Sequence, residues 1–239
     1  MNLTETEAGI TAAAVTLVLG TLLRMIGSQF QPVEPGGLFG GFRRRSLAME
    51  FVRCPGDVLS ILGRDNNWNR SLMRQIQIVD FIFIAGYFTS FTAASSILWR
   101  PGHVAAVTSG VFAFLAAWFD VQENCSILLL LRRRIDDSPG VGMLIDKCRI
   151  AAEIKWTSML IAMLIYSWLL FRGYRGDHEI QHSHFISCVL IFCVPPACIA
   201  VAGLFALPAG TGSWFEKTTP FIFAGILVLW AGVFLFPPH

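Results

Sequence analysis

The sequence predicts an all-α, polytopic helical membrane protein with about six transmembrane helices, or five if the first or last segment does not span. Three observations carry this reading. Hydrophobic residues make up 54% of the 239-residue chain and charged residues only 14%, against roughly 25% charged in soluble domains. The charges fall in blocks between apolar runs, and the runs have the roughly 20-residue length that a helix needs to cross a bilayer. Lys and Arg are also distributed asymmetrically about the runs, as topology determinants are. One transmembrane domain over residues 1–239 is expected, with no separate soluble domain.

The first apolar run covers residues 8–26 and ends near Arg24, whose stem can carry its charge out to the headgroups. It is preceded by Glu5 and Glu7 and by no Lys or Arg, the wrong flank for a secretory signal, so it is expected to stay as a helix. Residues 27–75 read as a cytoplasmic linker and amphipathic region. The glycine-rich stretch 35–42 lacks the Lys-Ser/Thr of a phosphate loop and reads as a hinge. Residues 47–52 and 57–62 are expected to form two short amphipathic helices, on the membrane surface or under the bundle. Asp57 is expected to be the N-cap of the second, after Pro55-Gly56.

The second run, residues 76–99, is joined to the third, 104–131, by the short turn Arg100-Pro101-Gly102-His103, which makes them an antiparallel hairpin. A polar loop with Asp136-Asp137 leads to the fourth run, 150–171. The fifth, 185–207, is interrupted by Pro195-Pro196, which removes backbone donors and kinks or breaks a helix. The sixth, 220–236, is short. Most of the 18 Lys and Arg follow runs one and three. That bias places those loops in the cytoplasm and both termini outside, in a bacterial inner membrane or its equivalent.

Polar residues inside these runs need an explanation, because hydrocarbon offers them no water. Asp120, Glu123 and Asn124 interrupt the third run; at 100° per residue Asp120 and Asn124 share a face and Glu123 lies beside them. Asp80 and Tyr87 lie on the second run, Asp80 about one turn inside its cytoplasmic end. The hairpin lets Asp80 approach Glu123 or Asn124, and Lys155 on the fourth run can reach the same depth. A charge at the bilayer centre costs about 3 kcal/mol on insertion scales. Such a cluster must share protons, pair with Lys155, hold a cation or line a wet cavity. Alternatively, Asn124 and a protonated acid serve only to bond helices together.

The combination Met49-Glu50-Phe51, Val58-Leu59-Ser60-Ile61-Leu62, Asp80-Phe81-Ile82-Phe83-Ile84-Ala85-Gly86-Tyr87 and Asp120-x-x-Glu123-Asn124 resembles a group of bacterial multi-pass membrane proteins. Their marks are a D-F-x-F-x-x-x-Y helix and a D-x-x-E-N helix. The resemblance covers about residues 47–171. It implies a helical membrane fold and points to Asp80, Tyr87, Asp120, Glu123 and Asn124. No activity comes with it.

Elsewhere, His178, His182 and His184, with His103 on the same predicted side, carry the residue types of a metal or haem site, but H-x-x-x-H-x-H is also common in exposed loops. The triplets Arg43-Arg44-Arg45 and Arg132-Arg133-Arg134 read as topology determinants that can hold anionic lipid heads. Trp68, Trp99, Trp156 and Trp214 are expected at the interfaces. A net charge of +2 gives no reason to expect nucleic acid, and six cysteines without a C-x-x-C pair make no disulfide framework. No nucleophile-and-base pattern, dinucleotide fingerprint or zinc-protease helix marks an enzyme.

Three functions are compatible with these features. The first is a small transporter or binding protein whose cluster takes a cation, a proton or a polar lipid head. The second is an accessory subunit of a larger membrane complex, contacting partner subunits, pigments or haem. The third is an intramembrane lipid-modifying enzyme using Asp120 and Glu123.

Overall fold

Six helices, and no strand among the described residues, make up the computed structural model, which describes residues 3–31, 45–64, 66–98, 104–135 and 138–174 with five positions between 225 and 233. They are α1 (Leu3–Gly27), α2 (Arg45–Met49), α3 (Pro55–Leu62), α4 (Asn67–Leu98), α5 (Val104–Arg132) and α6 (Pro139–Tyr174). Three are long and apolar enough to cross a membrane: Thr6–Gly27 within α1, α4 and α5. Runs five and six, with Pro195-Pro196 and Trp214, fall almost wholly outside the described residues; Ile226, Trp230 and Val233 pack into the core.

The long helices alternate in direction. Thr16 meets Gly86 and Gly20 meets Phe83, so α1 runs antiparallel to α4. Tyr87 reaches Asp120 and Asp80 reaches Asn124, so α4 runs antiparallel to α5. Gly86 is required at its crossing: a Cβ there would sit 2.6 Å from Thr16 Oγ1 and 3.6 Å from the Ala12 carbonyl oxygen. Most outward-facing side chains on α5 are apolar, including Val107, Val111, Phe114 and Trp118, with Gln122 and the terminal Arg132 as exceptions, whereas Ser109, Asp120, Glu123 and Asn124 are buried. That inverted pattern suits a helix solvated by lipid on one side and by protein on the other.

Two helices begin well before the apolar runs that reveal them. α4 starts nine residues ahead of the expected position 76, because Leu72, Met73 and Ile76 continue its buried stripe and Asn66 caps its start by accepting the Asn69 N–H at 3.0 Å. α6 starts at Pro139 rather than 150, with Val141, Leu144, Ile145 and Cys148 buried at helical spacing. A run of hydrocarbon length marks the part inside the bilayer and says little about where the helix ends.

The short helices α2 and α3 pack under the bundle instead of lying free on a surface. Ala48, Met49, Val52, Val58, Ile61 and Leu62 form one apolar cluster with Ile127, Leu130, Ile145 and Cys148 of α5 and α6. Asp57 is not the N-cap of α3. Cys54 holds that place, and Asp57, in the third helical position, turns back to accept the backbone N–H groups of Arg53 at 2.8 Å and Cys54 at 3.2 Å. The Pro55-Gly56 pair supplies the first two helical residues, where a missing N–H costs nothing. Asn69, fully buried, ties the junction: its carboxamide donates to the carbonyls of Gln31 and Leu62, both at 3.2 Å, and accepts the Gln31 N–H at 2.9 Å. The pair α2 and α3, a cap on the bundle, is therefore fastened through Leu62 to the start of α4 and to Gln31 beyond the end of α1.

A buried carboxylate and lysine cluster as the candidate site

The site is built on Lys155, carried by α6 with 5% of its side chain exposed. An ammonium has three N–H donors, and this one meets three carboxylates: Glu123 at 2.7 Å, Glu50 at 3.0 Å and Asp120 at 3.2 Å. Asp120 and Glu123 come from adjacent turns of α5, with 7% and 2% of their side chains exposed. Tyr87 of α4 donates its hydroxyl to the other oxygen of Asp120 at 3.0 Å. Asn124 donates to Asp80 of α4 at 2.7 Å, which ties the hairpin together. The structure thus brings Asp80, Tyr87, Asp120, Glu123, Asn124 and Lys155 into one linked group.

Glu50 completes it and is the member that sequence reasoning passed over. It follows α2 directly and reaches α6 with a single oxygen, which takes both the Lys155 ammonium and the Trp156 indole N–H, the latter at 2.7 Å. Trp156 is accordingly buried rather than interfacial, and Lys155 also lies 5.2 Å from its ring centroid. Burial pushes the Glu50 carboxyl above the ordinary carboxylate range, against the pull of Lys155 and the Trp156 N–H and with the push of Asp120. A sequence signal existed. Ala48, Met49 and Val52 flank Glu50 with apolar residues, and a Lys-Trp pair on an apolar helix requires an acceptor.

The cluster lies deeper along the helices than the apolar runs suggest. Asp80 is 13 residues into α4 and Lys155 is 16 residues into α6, about 20 and 24 Å at 1.5 Å per residue. Asp80 lies about one turn inside its apolar run, and the helix continues nine residues beyond that run. Its charges do not balance: four carboxylates face one ammonium. Burying ions is costly unless they are paired, so the remaining balance must come from protons or from another cation. Among the described residues, no set of three or more His, Cys, Asp and Glu is arranged to hold a metal ion. His103, His178, His182 and His184 lie outside the described residues, as do Arg43, Arg44, Trp99 and the stretch 35–42. Arg45 turns inward to the Ile61 carbonyl at 2.6 Å, whereas Arg132, Arg133 and Arg134 are exposed beyond the cluster.

A second polar group occupies the far half of the bundle. Ser95 donates to the Tyr166 hydroxyl at 2.5 Å, and Tyr166 donates to the Phe91 carbonyl at 2.7 Å. Tyr166 stacks on Phe91, and Trp230 meets Phe91 edge-on. No charged side chain enters this set, which reads as packing. Comparison with known proteins finds no family model, curated protein or solved structure that matches the chain.

Proposed function

We propose that this chain is a multi-pass membrane protein whose carboxylate and lysine centre takes up and releases protons, as a small transporter or binding protein does. The observation that carries the reading is the convergence of Glu50, Asp120 and Glu123 on the single ammonium of Lys155, with Asp80 held one hydrogen bond away through Asn124. Closely placed carboxylates in a low-dielectric site do not all ionise together, and they titrate as a group. The Lys155 ammonium already fills the point where Glu50, Asp120 and Glu123 meet, which makes protons the fitting ligand for the remaining charge, ahead of a metal cation or a lipid head.

In this proposal α6 is the fourth spanning helix and runs five and six complete the expected six spans. The exposed arginines beyond α5, with Arg53, Arg64 and Arg74, mark the cytoplasmic side. The centre then lies in the cytoplasmic half, under the α2 and α3 cap. Arg132, Arg133 and Arg134 are free to meet anionic lipid heads there.

The test is infrared difference spectroscopy of the purified protein in lipid nanodiscs, taken between acid and alkaline buffer. A protonated carboxyl C=O band that titrates, and that changes in Asp120→Asn and Glu123→Gln, is expected. If the carboxyl signal is independent of pH, the proton reading is wrong.

A second reading is favoured by the way the charged groups close on one another at 2.7 to 3.2 Å. In it the cluster joins α4, α5, α6 and the cap within an accessory subunit of a larger assembly. Its mark is that Asp120→Asn and Glu123→Gln lower abundance and retain no pH-dependent carboxyl. The lipid-modifying reading uses the same two acids, but both are engaged by Lys155.

A further inference from the structure

We infer that Glu50 is the group through which the buried centre exchanges protons with water on the cap side, and that release of its proton frees the α2 and α3 cap from the bundle. This rests on the proton reading above and adds to it a route and a moving part.

Three features of geometry support it. Glu50 is the one carboxylate of the four not carried by a long helix; it sits in the turn after α2, where its N–H bonds back to Leu47. Among the three carboxylates that meet Lys155 its side chain is the most exposed, at 14% against 7% for Asp120 and 2% for Glu123. Its hydrogen bonds to Lys155 and Trp156 both cross from the cap to α6, through one carboxylate oxygen. Cap docking and Glu50 burial are therefore one event.

The direction of coupling follows from the charges that meet Glu50 when the cap is down. Lys155 on α6 favours its carboxylate, as does the Trp156 N–H. Asp120 on α5 disfavours it, and Glu123 on α5 and Asp80 on α4 add negative charge to the same centre. Desolvation is the largest effect and favours the protonated acid. With the cap lifted, Glu50 returns to water and to ordinary carboxylate behaviour. The docked cap binds the proton more tightly than the lifted one, so by linkage rising pH favours lifting. Proton release to the cap side and opening of the centre to water are then coupled.

The molecule contains its own reporter. Cys148 on α6 is fully buried beneath the cap, its thiol donating to the Met49 carbonyl at 3.7 Å. A full-length variant with Cys54, Cys125, Cys188, Cys193 and Cys198 replaced leaves Cys148 as the sole thiol. Its maleimide labelling rate in nanodiscs is measured against pH and divided by the rate for the same chain unfolded at the same pH, which removes the thiol's own titration. The normalised rate is expected to rise with pH, by at most about tenfold per unit for a single proton. Glu50→Gln, which keeps an acceptor for Lys155 and Trp156 and has no proton to lose, is expected to give a low, flat profile. Glu50→Asp is expected to restore a slope. Trp156→Phe, which removes a donor favouring the carboxylate, moves the rise to higher pH.

A flat profile in the parent, or an unchanged slope in Glu50→Gln with an unchanged midpoint in Trp156→Phe, overturns the inference. If Glu50→Gln does not fold, the Trp156→Phe midpoint decides alone. Infrared spectra of the same samples separate the two claims. A titrating carboxyl band with a flat labelling profile refutes the cap mechanism and leaves the proton centre standing. With no titrating band, the proton centre itself fails, and this inference with it.

Discussion

Replacing Lys155 by Met tests the electrostatic account of the cluster most directly. Met keeps much of the lysine stem's volume and removes the ammonium that meets Glu123, Glu50 and Asp120 at 2.7, 3.0 and 3.2 Å. All four side chains are at most 14% exposed, so solvent screening is slight. Breaking a buried ion pair by removing one partner costs about 3–5 kcal/mol, because the other charge is left behind without compensation. Even the lower figure is roughly a hundredfold change in a folding equilibrium, and it is a large fraction of the about 5–15 kcal/mol that holds a typical domain together. Protonation removes the orphaned charge, so the loss must shrink as the medium is acidified. The assay is a melt of detergent-solubilised protein, parent and variant, in neutral and acid buffer. A large gap at neutral pH that narrows in acid is expected. Adding Asp120→Asn, Glu123→Gln and Glu50→Gln to Lys155→Met is expected to recover stability at neutral pH, since the three carboxylates that met the lysine are gone. A gap under about 0.5 kcal/mol, typical of surface substitutions, or a gap that acid leaves unchanged, refutes the reasoning.

Other predictions follow from single contacts. Tyr87→Phe removes the hydroxyl bonded to Asp120 at 3.0 Å and is expected to cost about 1.5–3 kcal/mol, as hydrogen bonds to charged groups do; the melt reads the loss and the infrared carboxyl signal reads its effect on the centre. Gly86→Leu drives a side chain into Thr16, since even a Cβ would lie 2.6 Å from its Oγ1. It is expected to destabilise by about 1–3 kcal/mol, and Thr16→Ala is expected to recover part of that in the double variant. Asn69→Ala abandons three hydrogen bonds linking α1, α3 and α4 and is expected to cost about 1–3 kcal/mol, with faster proteolysis around the cap. Glu50 gives a pH dependence of known sign. Burial raises its folded-state value above the ordinary carboxylate range, so its contribution is complete below that range and is lost as pH rises through the raised value. The parent melt should fall toward alkaline pH more steeply than that of Glu50→Gln, and equal slopes refute the assignment.

The hairpin and the polar cluster were legible for one physical reason. Asp120, Glu123 and Asn124 follow a stretch, residues 111–119, in which every residue is apolar, and hydrocarbon makes such exceptions conspicuous. Lys155 and Asp80 were legible in the same way. Glu50 was less so, because its apolar neighbours, Leu47 to Met49 with Phe51 and Val52, form a run too short to cross a bilayer, where an acid reads as the wet face of a surface helix. Only the fold of the cap shows that it points inward. Trp156 was misread for a related reason, since an indole near the end of an apolar run is usually an interfacial anchor, and here its N–H is taken by Glu50. The true starts of α4 and α6 were hidden because their outer turns are amphipathic: Arg70, Arg74 and Lys147 face outward while Met73 and Cys148 face the cap.

These misreadings share a cause that also explains the architecture. A cluster holding four carboxylates inside a bundle needs cover from water on the side nearest the aqueous phase. The extended ends of α4 and α6 and the short helices α2 and α3 supply that cover as one apolar plug, in which Met49, Met73, Ile127, Leu130, Ile145 and Cys148 are all buried. Glu50 then projects from the plug onto the lysine at its base. A plug made only to seal would be at least as stable with apolar residues there, because replacing a buried ion-pair set by well-packed apolar groups is often neutral or stabilising. Placing a carboxylate at that point ties the seal to the charge state of what it covers, which is the property a proton-handling site needs and an inert joint does not. Replacing Lys155, Glu50, Asp120 and Glu123 together by apolar residues of similar size therefore separates the two roles. If the cluster is only a joint, the variant keeps or gains stability and its infrared response to pH matches the parent's; if it handles protons, it keeps stability and loses the parent's titrating carboxyl signal.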